Sequence, residues 1–309
     1  MAAAGGGLIA LTASVVFGWL PPGFAADSSA DDLIARGEYL FRASGCGNCH
    51  TDTDNDGEFL AGGYALNTPF GTFYSPNITP HPEFGIGTWS EQDFIRAMKA
   101  GVAPDGRDYF PAFPYTSYTG LTHDDLRALK AYLFSVPPVA IPSRRHDVIP
   151  GLRRGLWLWK LLFFKLPAPI APPGADATWV RGAYLATAVV HCPECHTPRN
   201  RLGGLIERLH LAGTRDGPEG KSVPNITPDP KTGIGRWDHD DLMFYLETGG
   251  TPDGDYAGGL MAEVIDNGLT HLTEADRAAI ATYVLSVPAI ARRISKPSKG
   301  GKKRDEFEY

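Results

Sequence analysis

Cys46, Cys49 and His50 stand in the run Cys-Gly-Asn-Cys-His, and Cys192, Cys195 and His196 stand in Cys-Pro-Glu-Cys-His. Two thiols three positions apart, with an imidazole directly after the second, can bond both vinyl groups of a haem while the histidine ligates its iron. The two runs use all four cysteines of the chain. A bare cysteine pair at this spacing would also suit a redox dithiol or half of a zinc site. The histidine that follows in both copies favours haem. Zinc held by cysteine and histidine is the main alternative, but it accounts for neither the duplication nor the flanking sequence. The expected cofactors are therefore two covalently bound haem c groups, with His50 and His196 on iron and Cys46, Cys49, Cys192 and Cys195 as anchors.

Iron in an electron carrier usually takes a second protein ligand opposite the histidine. Methionine is common, because its soft sulfur favours the reduced metal. The chain has four methionines, Met1, Met98, Met243 and Met261. Met261 follows Gly258-Gly259-Leu260, a stretch expected to be a loop before the last helix, and is assigned as distal ligand of the second haem. Met243 falls inside a predicted helix. The matching position in the first half is Phe113, in Pro-Ala-Phe-Pro-Tyr, and phenylalanine cannot bind iron. The first haem must recruit another residue or keep an open position. Met98, in line with Leu246 on a predicted helix, reads first as core filler. His81, His123 and His146 are further candidates, each more often a surface histidine than a ligand.

The elements that would carry these residues repeat. Arg36-Gly37-Glu38-Tyr39-Leu40 recurs as Arg181-Gly182-Ala183-Tyr184-Leu185, and Pro76-Asn77-Ile78-Thr79-Pro80 as Pro224-Asn225-Ile226-Thr227-Pro228. Gly85-Ile86-Gly87 with Trp89 returns as Gly233-Ile234-Gly235 with Trp237, and Pro104-Asp105-Gly106 as Pro252-Asp253-Gly254. A register kept over tens of residues means a duplicated domain. In each unit a helix leads into the haem motif. The first opens at Ser29-Ala30-Asp31-Asp32 and runs from Leu33 to Ala43. Glycine inside a helix costs about 1 kcal/mol relative to alanine, so Gly37 and Gly182 point to a close helix crossing. Ser90 with Asp93, and Asp238 with Asp241, predict capped helices ending near Gly101 and Gly249. Closing helices start at Thr122, with Leu126, Leu129 and Leu133 on one stripe, and at Thr273, with Ile280, Tyr283, Val284 and Val287. Both stop at Ser-Val-Pro.

The bulk properties agree with two all-α units. A chain of 309 residues exceeds one typical domain, and Gly 36 with Pro 26 suits short helices between long shaped loops. The formal net charge of -6 gives no reason to expect nucleic acid as a partner. The expected division is a signal peptide over 1–26, a first domain over 27–138, a Pro-rich linker over 139–176, a second domain over 177–290 and a basic disordered tail over 291–309. The signal reading rests on the apolar run Leu8 to Leu20 and on Ala25-Ala26 before Asp27. No Lys or Arg precedes that run, which leaves a misassigned start or an uncleaved anchor open. The linker holds Gly155-Leu156-Trp157-Leu158-Trp159-Lys160-Leu161-Leu162-Phe163-Phe164-Lys165. This short apolar helix is expected to pack between the two haem domains, and contact with a membrane surface or a partner is the alternative.

Taken with the repeat, the stretch Thr68-Pro69-Phe70-Gly71-Thr72-Phe73-Tyr74-Ser75-Pro76-Asn77-Ile78-Thr79-Pro80 and the run His196-Thr197-Pro198-Arg199-Asn200 resemble the dihaem cytochrome c family. That family is related to the cytochrome c subunits of bacterial alcohol, gluconate and nicotinate-type dehydrogenases. The resemblance runs from about Leu33 to Pro288. It implies two tandem class I cytochrome c domains, export to the periplasm, where haem c attachment is completed, and association with the cytoplasmic membrane as an option. It also implies passage of electrons from a periplasmic or membrane-bound dehydrogenase to a respiratory cytochrome or oxidase. Relatives often carry methionine where this chain has Phe113, and some where it has Leu121. The resemblance therefore implies a lower potential or a high-spin fraction at the first haem. Trp89, Trp237 and Arg199 are candidates to bind haem propionates, with core packing as the other role. A non-catalytic carrier is the leading reading. An enzyme whose open first haem takes peroxide or another small substrate is the competing one.

Overall fold

The computed structural model describes residues 29–165 and 174–294. The signal segment and all but the first few residues of the basic tail lie outside them. The first half holds α1 (Ala30–Ala43), α2 (Cys46–His50), β1 (Ala65–Thr68), β2 (Gly71–Tyr74), α3 (Glu91–Ala100), α4 (Tyr115–Tyr118) and α5 (His123–Ser135). Then come β3 (Asp147–Val148) and α6 (Leu156–Phe163). The second half holds α7 (Ala177–Tyr184), which continues as one π turn over Leu185–Val189, then α8 (Pro193–His196), α9 (His239–Thr248), α10 (Leu260–Asn267) and α11 (Glu274–Ser286).

The helix starts are set by side-chain caps. Ser29 and Asp32 form a reciprocal capping box on α1, as do Ser90 and Asp93 on α3 and Asp238 and Asp241 on α9. Thr122 and Thr273 accept from the third backbone N–H of α5 and α11. Gly101 and Gly249 close α3 and α9 in the left-handed conformation.

In each half the opening and closing helices cross at the repeated glycine. A Cβ on Gly37 would overlap the Ala128 carbonyl of α5, and one on Gly182 would overlap the Ala279 carbonyl of α11. Leu126, Leu129 and Leu133 face the interior from α5, and Ile280, Tyr283 and Val284 from α11. One continuous apolar core runs through both halves, from Leu40 and Leu129 to Val189, Leu246 and Ile280.

The all-α expectation needs correction. An antiparallel sheet of three short strands, in the order β1, β2, β3, sits on the first half, with Ala65 opposite Tyr74 and Gly71 opposite Val148. Below it Phe73, Phe110 and Leu156 form a second small core. The linker is stitched to the first half: Asn77 Nδ2 donates to the carbonyls of Val139 and Ile141, both at 2.9 Å, and β3 pairs with β2. The helix expected within the linker is α6, and it packs on both halves. Leu156 enters the second core, and Trp159 Nε1 donates to the Leu202 carbonyl at 2.8 Å.

Candidate haem-binding sites

Each motif helix is entered through a left-handed residue. Before Cys46 it is Gly45, with φ 62°. The equivalent residue before Cys192 is His191, with φ 49°, where a side chain is strained. The ring gains contacts in return: His191 packs edge-on against Tyr118 of the first half, with centroids 5.5 Å apart, and its Nε2 lies 3.2 Å from the Ser44 carbonyl. Sequence reading missed this histidine, since nothing in the pattern marks it apart from its alignment with Gly45.

The two motif histidines are held alike. His50 Nδ1 lies 2.8 Å from the Pro76 carbonyl, and His196 Nδ1 lies 2.9 Å from the Pro224 carbonyl. Donation through Nδ1 leaves Nε2 as the free lone pair, the arrangement a metal-ligating imidazole needs. Burial holds both imidazoles below the ordinary histidine pKa, against the opposing pull of those carbonyls, so both are neutral near pH 7. The carbonyls are placed by the repeated Pro-Asn-Ile-Thr-Pro loop. Asn77 Oδ1 accepts from the N–H and hydroxyl of Thr79, and Asn225 Oδ1 does the same for Thr227. Gly62 and Gly213, at φ 78° and 76°, lie flat against Pro76 and Pro224, where a Cβ would collide with backbone.

The donor set fits a covalently attached haem at both places. Cys46, Cys192 and Cys195 are half-buried, while Cys49 is exposed. Burial pushes the Cys46 and Cys192 thiols up to about 12, which argues against a reactive dithiol, whose attacking sulfur needs a depressed pKa. Among the described residues no group of three or more His, Cys, Asp or Glu side chains gathers as a metal cage.

The structure gives the residues considered as a second ligand at the first site the following partners. Met98 is buried on α3 among core residues. His81 stacks on Phe84, and its Nδ1 accepts from the N–H groups of Glu83 and Phe84. His146 Nδ1 accepts from Tyr74 N–H, with the ring against Phe73 and Phe110. His123 is exposed in the first turn of α5. Phe113 sits half-buried in an aromatic group with Tyr109, Tyr115 and Tyr118.

Met261 departs from the loop expected for it. It is the second residue of α10, half-buried against the main core. Arg199 is already engaged: its guanidinium pairs with the Glu194 carboxylate and donates to the Gly203 carbonyl at 2.9 Å. Trp89 and Trp237 lie partly buried against the core, the other role allowed for them.

The middle of each motif is gripped by the opposite half. Glu194 Oε1 accepts from Thr116 Oγ1 at 2.9 Å and Ser117 Oγ at 2.6 Å, both on α4. Asn48 Oδ1 accepts from Asn267 Nδ2 of α10 at 3.0 Å. A second reciprocal pair ties the helices together. Tyr39 of α1 donates to Asp276 at 2.6 Å, and Arg181 of α7 donates to the same carboxylate. Tyr184 of α7 donates to Asp125, which Arg36 of α1 also grips at 2.8 Å. Burial alone would raise the Asp276 carboxyl, but the hydrogen bonds from Arg181 and Tyr39 outweigh it and leave its pKa below the ordinary value. The tyrosines were visible within the repeat, but their crossing to the other half left no local signal.

Tyr184→Phe should cost about 1.5–3 kcal/mol, because Asp125 is almost fully buried and loses a hydrogen bond to a charged acceptor. Urea unfolding checks this, and a loss under about 0.5 kcal/mol would show that the crossing contact is idle.

A family model described as cytochrome c matches residues 34–137. The chain is 42% identical over 262 residues to the fructose dehydrogenase cytochrome subunit of Gluconobacter japonicus, covering 84% of this chain and 53% of that one. It is also 42% identical over 262 residues to a dihaem cytochrome c-type protein of Cereibacter sphaeroides, covering 83% and 86%. To the gluconate 2-dehydrogenase cytochrome c subunit of Pantoea cypripedii it is 38% identical over 288 residues, covering 89% and 64%. The chain thus spans about half of the fructose dehydrogenase subunit and most of the dihaem protein.

Proposed function

Because the chain belongs to the cytochrome c family, in which haem c is covalently bound, we propose that it is an exported carrier of two haems, one per half. In this reading it takes electrons from a periplasmic or membrane-bound dehydrogenase, passes them toward the respiratory chain, and touches the cytoplasmic membrane peripherally. The observation that carries the reading is the matched pair of motifs, each with its histidine turned by a proline carbonyl from the same repeated loop. The dehydrogenase donor is supported by the similarity to cytochrome subunits of fructose, alcohol and gluconate dehydrogenases.

When bound, the haem irons supply one-electron couples, which need no acid or base from the protein. The chain's part is to hold and tune them. Cys46, Cys49, Cys192 and Cys195 would anchor them by thioether bonds, and His50 and His196 would present Nε2 to the irons. The Pro76 and Pro224 carbonyls fix the imidazole orientations and would raise the basicity of the nitrogens offered to iron. Met261 would supply a thioether to the second site, and Phe113 would offer none to the first, where the lower potential is expected.

Reductive titration of the intact holoprotein should show two one-electron steps. Met261→Leu keeps the apolar volume and removes only the sulfur. It should lower the higher midpoint potential by roughly 0.1–0.3 V, within the ~0.8 V that axial ligands span. A single step in the native protein would overturn the two-site carrier, and unchanged potentials in the variant would overturn the role of Met261.

A further inference from the structure

Between Asp147 and Asp176 the sequence contains no acidic residue and no Ser, Thr, Asn or Gln, yet it carries Arg153, Arg154, Lys160 and Lys165. This stands out in a chain of net charge -6. The helix at its centre, α6, has two unlike faces. Leu156, Trp159, Lys160 and Phe163 turn inward. Lys160 Nζ binds the carbonyls of Ala100 and Gly101 at 2.8 and 2.9 Å and pairs with Asp108, while Phe163 covers Gly204. The other face carries Trp157, Leu158, Leu161 and Leu162, exposed by 65%, 43%, 73% and 52%. Their spacing puts all four on one side of the helix. Leu202, whose carbonyl accepts from Trp159 Nε1, and Ile149, whose carbonyl accepts from Leu152 N–H, are exposed as well. Arg154 and Lys165 are exposed beyond the two ends of α6.

We propose that this outer face of α6 seats the protein on an anionic lipid surface, with the four apolar side chains in the interfacial layer and Arg154 and Lys165 against the headgroups. An apolar face flanked by cations needs nothing more than buried area and anionic charge to hold it. A protein partner would be specified by a polar, hydrogen-bonding rim, and this segment has no Ser, Thr, Asn or Gln to build one. Among the described residues no helix is long and apolar enough to cross a membrane, so α6 lies on the surface. The inference deepens the membrane contact of the proposed function and is independent of its redox part.

The test is sedimentation of the full-length holoprotein with vesicles of phosphatidylcholine alone and of phosphatidylcholine with phosphatidylglycerol. Binding is expected to the anionic vesicles and to weaken as salt is raised. Leu161→Ser with Leu162→Ser should lower the partition coefficient at least about tenfold, and Arg154→Glu with Lys165→Glu by a similar factor on anionic vesicles. Both variants leave the basic tail intact and change exposed positions, so two-step reductive titration should remain as in the native protein. Loss of that titration in the native protein would count against the carrier reading alone. Variants that bind like the native protein would place lipid binding elsewhere, the tail included, and overturn the proposal. So would absence of binding to either vesicle. Self-association in sedimentation velocity that the same serine substitutions abolish would assign the face to a second copy and also overturn it.

Discussion

Cys192→Ala combined with Cys195→Ala is expected to yield a protein with one covalent haem in place of two, and with a second half that no longer resists unfolding. The residues about this motif explain the size of the effect. Val189 and Leu211 are fully buried on either side of it in sequence, and Ile265 of α10 and Leu269 belong to the same core. A domain of this size is organised around a single hydrophobic core, and a tethered porphyrin would form part of it. The visible absorbance per protein should fall to about half, and the second half should lose more than about 4 kcal/mol, the range reached when a structural cofactor is removed. The first half should keep its own transition. Because Glu194 and His191 dock on α4 and Ser44, that transition should also move to lower denaturant, by the smaller amount of a lost interface. Guanidinium titration followed at the haem band and by circular dichroism checks both points. Unchanged absorbance would mean that these cysteines anchor nothing.

Gly182→Ala is expected to be the most damaging single substitution outside the motifs. Helix propensity favours alanine over glycine by about 1 kcal/mol. Sterics decide the other way: the added Cβ would overlap the Ala279 carbonyl oxygen, reach 2.5 Å from its carbon and come 3.0 Å from Tyr283 Cβ. Backbone cannot swing aside as the end of a side chain can, so α7 and α11 must part along the whole crossing. Roughly 3 kcal/mol or more should be lost. Gly155→Ala is the control, since a Cβ there meets nothing within 4 Å, and its stability should change by less than about 0.5 kcal/mol. Thermal unfolding of the two variants against the native protein gives the answer. Equal stabilities would mean that the repeated glycine has no packing role.

Much of this arrangement could be read from the chain because its determinants are local. Caps such as Ser90 with Asp93 act within one turn, and Gly37 and Gly182 announced their crossings by recurring at a costly position. What escaped reading depends on distance. Strands of four residues around Phe70-Gly71 are too short to show an alternating pattern, so the sheet was missed. Gly258-Gly259 reads as a loop, and the helix that starts at Leu260 is held by tertiary contacts such as Asn267 to Asn48. Tyr39 reaches Asp276 and Tyr184 reaches Asp125 from the other half, contacts that no local periodicity records. Arg199 looked free for a propionate because its buried partner Glu194 lies inside the haem motif itself.

Two porphyrins tethered through Cys46 and Cys49 and through Cys192 and Cys195 would set the mass of the polypeptide. The mass of the denatured protein, made in a bacterium able to mature c-type cytochromes, tests their attachment most directly. The expected mass is that of the polypeptide plus two haems, and plus one haem for the alanine pair at Cys192 and Cys195. A native mass equal to the bare polypeptide, or to the polypeptide with a single haem, would contradict it.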